Sequence, residues 1–232
     1  MEGKKKNIII GAIISVIVVL FIVFGTLACL GIFRGFNAQG YVSAILNQTL
    51  KGDVESAVEM LDGATEEGLL AQYEAGIKSF AKNSLLNGAE LDAELEQKYV
   101  DLCKKIFDSM EYSVQEAEEV KDGEFDVPVK YKPSNVLQLF VESATSEAER
   151  IGAKKEKGEY RGTYEEIEAQ MKVELLNGWY TSLEEAYNNM EFGEEQTVVF
   201  KVIRGEDDLY ELEEKAITEF LVKILSLDAK ED

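Results

Sequence analysis

The chain reads as an α+β protein: an apolar N-terminal transmembrane helix followed by one helix-rich domain with an antiparallel sheet of about four strands. Three observations predict this. Residues 8–33 run for 26 positions without a charged side chain, between Lys4, Lys5, Lys6 and Arg34. From residue 42 to 109 the apolar side chains recur three to four residues apart, the helical period, and near residues 125 and 197 they switch to alternation. Helices first and hairpins later is the order of an α+β domain, not of alternating βα units.

The apolar run comes first. About 20 residues cross a hydrocarbon core of roughly 30 Å, so this run can span as one helix even when tilted. Lys and Arg close to a span stay on the cytoplasmic side, and three lysines precede this one while a single arginine follows it. The expected layout is a cytoplasmic tail at 1–7, a span at 8–33, a tether at 34–40 (RGFNAQG), an extracellular domain at 41–227 and a tail at 228–232. Two alternatives concern the same segment. A cleaved secretory signal has an apolar core of about 7–15 residues, which this run exceeds. A lipoprotein box would be Thr26-Leu27-Ala28-Cys29, with Cys29 acylated. Ala28 suits such a box, but Thr26 and Leu27 do not, and apolar residues continue to Phe33. Cys29 therefore reads as one more small hydrophobe of the span.

Beyond residue 40, Val42, Ile45, Leu46 and Leu50 predict one helix and Val54, Ala57, Val58 and Leu61 a second, with Gly52-Asp53 as stop and cap between them. Thr65 can cap a third, with Glu66 and Glu67 at its positive dipole end and a stripe of Leu69, Tyr73, Ile77 and Phe80. A fourth runs from Asp92 to Ser109 on Leu95, Tyr99, Leu102 and Ile106, and Cys103 lies on the same apolar face. Phe125, Val127, Val129 and Tyr131 then alternate with polar residues as a half-buried strand. Lys121-Asp122-Gly123 makes a tight turn back to residues 112–120. Pro128 has no N–H, which predicts an edge strand or an outward position. Residues 135–151 are helical, a charged connector with Gly158 and Gly162 follows, and a long helix runs from Tyr164 to about Met190. Thr197–Arg204 is a strand, Gly205-Glu206-Asp207-Asp208 a turn and 209–212 a short strand. Ile217, Phe220, Leu221, Ile224 and Leu225 make a closing amphipathic helix.

Composition excludes more chemistry than it suggests. The chain has no histidine, which removes the commonest general base, the commonest metal ligand and every Ser-His or Cys-His dyad. Nucleophile-elbow, P-loop and dinucleotide glycine motifs are all missing, so no cofactor is implied. A pair of carboxylates could still hydrolyse a glycoside, but 45 acidic residues make any chosen pair unspecific. Besides Cys29 only Cys103 is present, so no internal disulfide can brace the domain. Residues 35–232 hold 20 basic and 44 acidic side chains, a net of −24. That balance opposes nucleic acid and anionic surfaces and favours basic partners. The densest acidic group, including Asp207 and Asp208, could offer oxygen ligands to calcium, although its spacing does not match an EF-hand loop. Asn47-Gln48-Thr49 spells a glycosylation sequon but falls on a predicted helix. The best recognition group is aromatic: Trp179, Tyr180 and Tyr187, with Tyr160 and Tyr164 nearby, where a sheet curved around a helix could leave a concave mouth.

The order anchor, Tyr41-Val42-Ser43-Ala44-Ile45-Leu46, Lys51-Gly52-Asp53, helices, and the Tyr112–Tyr131 hairpin ending in Lys132-Pro133-Ser134-Asn135 resembles uncharacterised cell-envelope domains of Gram-positive bacterial lipoproteins. The resemblance covers most of residues 38–227 and rests on pattern, without a diagnostic motif. It implies a nuclear-transport-factor-like or cystatin-like α+β fold and brings no catalytic residues. The function expected is a membrane-anchored, extracellular, non-catalytic binding or interaction module of a bacterial envelope, with a basic protein, a peptide or a second copy as partner. The alternatives are a small-ligand pocket lined by Trp179 and Tyr180 and a carboxylate-dependent hydrolase.

Overall fold

The computed structural model describes residues 36–61, 63–205, 209–213 and 215–227, together with the backbone of residues 29–30. The predicted span therefore lies outside the described residues except at residues 29–30. There Cys29 and Leu30 form a two-residue strand, β1 (Cys29–Leu30), and not a helical turn. Among the described residues no helix is long and apolar enough to cross a membrane.

The helical first half follows the predicted order. α1 (Ala38–Lys51) opens at Asn37, whose side chain accepts the Gly40 N–H at 2.8 Å, so residues 38–40 of the predicted tether are its first turn. It ends at Gly52 in the left-handed region, φ 66°, where any Cβ would also strike the Tyr73 ring at 2.7 Å. After α2 (Glu55–Met60), the Thr65 hydroxyl accepts the Gly68 N–H at 3.1 Å and starts α3 (Glu66–Ser79). The helix then widens into a π-helical turn over Phe80–Leu85 and leaves through Asn87 and Gly88, both at positive φ. Asp92 caps α4 (Ala93–Asp108), whose inner face buries Leu95, Tyr99, Leu102, Cys103 and Ile106.

The sheet is antiparallel and has more strand segments than expected. Its order is β1-β6-β5-β4-β2, with β3 (Glu118–Lys121) also on β4, alongside β2 (Tyr112–Val114), β4 (Glu124–Tyr131), β5 (Gln196–Arg204) and β6 (Leu209–Leu212). The extra segments arise because residues 112–120 break at 115–117 and because β1 adds to the far edge. Of the two alternatives for Pro128 the edge strand is corrected, while its side chain does take an outward position, opposite the exposed Val199. β4 is central, flanked by β5 on one side and β2 and β3 on the other. The Pro128 carbonyl accepts the Gln115 N–H at 2.8 Å, so the missing donor of Pro128 points to the same side, into the break between β2 and β3 where the ladder is interrupted.

One face of the sheet is covered. Val127, Val129, Tyr131, Phe200 and Val202 point inward and are buried, while Thr197, Val199, Lys201 and Ile203 point outward and are exposed. α7 (Ala216–Ile224) lies on the inner face. Its Phe220, fully buried, meets Phe200 and Tyr131 at 5.5 Å and Tyr112 at 6.1 Å, all edge to face. α5 (Val136–Glu156) and α6 (Tyr164–Asn188) form a long antiparallel hairpin beside α4. The α6 start is a capping box between Thr163 and Glu166. Phe36, just ahead of α1, stacks flat on Tyr210 of β6 at 3.7 Å and tilts against Phe125 of β4.

Candidate functional site

The α5–α6 hairpin carries both the predicted aromatic group and the densest polar constellation. Ser143 donates to Ser182 at 2.9 Å, and the Trp179 indole N–H donates to the Ala144 carbonyl at 3.1 Å. Gly178 lets Glu147 lie over α6: a Cβ there would meet the Glu147 side chain at 2.3–2.7 Å. One turn further out, Arg150 donates to Glu147 and, at 2.6 Å, to Glu174. Lys154 donates to both oxygens of Glu174 at 2.8 and 2.9 Å, and the Tyr160 hydroxyl completes the set at 2.8 Å. Lys154 also lies 5.2 Å over the Tyr160 ring.

These donors fix the protonation of the two carboxyls. Hydrogen bonds from Lys154, Arg150 and Tyr160 hold Glu174 at about 2, and the hydrogen bond from Arg150 lowers Glu147 as well. A carboxylate pair that works as acid and base needs one member pushed up while the other stays ionised. Here both are pushed down. Near neutral pH the cluster is an ion-pair lattice that clasps two helices, with no proton donor among its carboxyls.

The aromatic side chains are half-buried and packed against the core. Trp179 rests on α5 through its bond to Ala144, and Tyr180 meets Tyr99 edge to face at 5.4 Å. Tyr99 in turn donates its hydroxyl to the Leu176 carbonyl at 2.8 Å, and burial pushes its pKa up. Tyr187 packs against the core. A shallow recess lies elsewhere, beside the π-helical turn, lined by Lys78, Lys82, Leu86, Leu91, Glu96 and Tyr99, with Lys78 paired to Glu96 at 3.2 Å. It shares Tyr99 with the aromatic group but is not lined by Trp179, Tyr180 or Tyr187.

Cys103 is fully buried and burial pushes its thiol up, which makes it a core side chain. Cys29 is described only as a backbone position of β1. Asp207 and Asp208 lie outside the described residues; among the described residues no group of three or more His, Cys, Asp or Glu could hold a metal ion. Sequence reasoning missed the Glu174 cluster. Its signal was the hairpin register: Ser143 faces Ser182, Ala144 faces Trp179, and Arg150 faces Glu174, each step outward on one helix matched on the other. Folding the chain about the Gly158–Gly162 connector brings Glu174 to Arg150 and Lys154.

The chain is thus an α+β protein with a half-covered antiparallel sheet and a clasped helical hairpin. No family model matches it, and no curated protein matches it. Among solved structures it is similar to the crystal structure of a candidate lipoprotein, YcdA, from Bacillus subtilis subsp. subtilis strain 168, at 16% identity and a TM-score of 0.48. The match covers 80% of this chain and 54% of that one, so the chain spans about half the length of this neighbour. A likeness this distant carries no argument about family, and it does not establish the nuclear-transport-factor-like class.

Proposed function

We propose that the chain is a membrane-anchored, non-catalytic interaction module of a bacterial cell envelope, with its N-terminus in the cytoplasm and its acidic domain outside, and that it takes a basic protein or peptide as partner. The observation that carries this reading is the charge surplus. If each of the 20 basic side chains of residues 35–232 neutralised one carboxylate, 24 carboxylates would remain. Lys98, Lys130, Lys132, Lys155 and Arg204 already lie against acidic partners, so the unpaired excess is negative. Such a surface draws cations by long-range attraction that salt weakens. The lattice around Glu174 and the buried thiol of Cys103 support a binding role over a chemical one.

The full chain in nanodiscs of uncharged lipid, titrated with a lysine-rich peptide and with a glutamate-rich peptide of equal length, tests the reading. Binding of the first alone, weakening as salt rises, is expected. Equal binding of both, or turnover of any substrate in a broad hydrolase panel, would contradict it.

A further inference from the structure

The apolar run is longer than a bilayer requires, and its last residues do something else. About 20 residues suffice to cross, and a helix over residues 8–28 would extend about 31 Å at 1.5 Å per residue, close to the hydrocarbon thickness of roughly 30 Å. Cys29 and Leu30 come immediately after that length and pair antiparallel with Tyr210 and Leu209 of β6. A backbone N–H cannot serve a helix and a sheet ladder at once. The Gly205 N–H donates to the Leu209 carbonyl at 2.7 Å, which turns the polar groups of Leu209 toward β5 and those of Tyr210 outward, toward Cys29. Without β1, the β6 edge would present Leu209 and Leu212 with only Glu211 as a charged guard.

Six residues after Leu30 the chain is pinned again, by the flat stack of Phe36 on Tyr210. The chain therefore meets β6 both at Cys29–Leu30 and at Phe36. The strand direction carries it from the Leu212 side of β6 toward Gly205.

We propose that the end of the apolar run leaves the bilayer as an edge strand, Cys29–Leu30, whose pairing with β6 brings that edge of the sheet to the membrane surface. This rests on the membrane-anchored reading above. The test is a cross-strand disulfide. Leu30 and Leu209 are the pair whose backbone polar groups face away from each other, and such pairs stand about 4.5 Å apart at Cα, within disulfide range. Full-length Leu30→Cys/Leu209→Cys chain in native membranes, with Cys29→Ala and the buried Cys103 retained, is oxidised mildly and scored by maleimide mass-tagging. Leu30→Cys/Glu211→Cys serves as the out-of-register control. At least tenfold faster closure in the first pair is expected; equal rates would overturn the proposal. Hydrogen exchange on the unmodified chain in micelles provides a check without substitutions: the Tyr210 amide should exchange as slowly as β5 amides, and exchange at the rate of exposed loops would also overturn it. Alkaline washing of the same membranes separates the two levels. A chain retained in the pellet but not cross-linked loses only the edge strand, and a chain washed free loses the anchor as well.

Discussion

Cys103 shows how strongly burial decides chemistry in this chain. With no exposure and a raised thiol pKa, it should resist alkylation by a neutral-pH thiol reagent until the protein is unfolded in denaturant. Labelling of Cys103 in the native protein, read by mass spectrometry, would show that the α4 face opens. Trp179 makes a single polar bond, to Ala144. Trp179→Phe keeps most of the ring and loses that bond, at a cost of about 1 kcal/mol in denaturant unfolding. Glu174 is the third case, and its sign is worked from the direction of its shift. Its folded value, about 2, lies below the ordinary carboxylate value of 4.5. Its contribution is therefore complete above the unfolded value and disappears as pH falls from there toward 2. Thermal melts followed by circular dichroism should show Glu174→Gln less stable than the parent at pH 7, with the gap closing by pH 2–3. A gap independent of pH would show that the charge on Glu174 does not hold the hairpin.

The helices and strands were readable because their causes are local. Apolar spacing, the Thr65 cap and the Gly52 stop placed α1 to α4, and the alternation of Phe125 to Tyr131 and Val198 to Val202 placed the two long strands. What escaped depends on partners distant in sequence. The break at 115–117 is visible only against β4, and it also explains how a central strand tolerates Pro128. The π-helical turn has no period that apolar spacing reveals, because Phe80 also continues the α3 stripe. The ion-pair lattice requires the register of two helices. α7 is the clearest case of tertiary packing holding a short element: nine residues are too few for a stable isolated helix, so Phe220 must anchor it among Phe200, Tyr131 and Tyr112. Phe220→Ala should cost about 3–5 kcal/mol in denaturant unfolding and release α7 to early proteolysis. A cost under about 1 kcal/mol would mean that the aromatic cluster does not hold the helix.

Taken together, the chain combines an apolar segment suited to a bilayer, a domain that buries one sheet face and its only cysteine beyond the apolar run, and a surface left strongly anionic. Charge and anchor act on one another. An anionic domain at a membrane is repelled by anionic lipid headgroups, and salt weakens the repulsion. The location is the premise of all of this, and proteolysis of intact cells tests it. Protease added outside should remove the domain and leave a membrane-embedded fragment carrying the N-terminal lysines. A domain spared in intact cells and cut only after lysis would contradict the account.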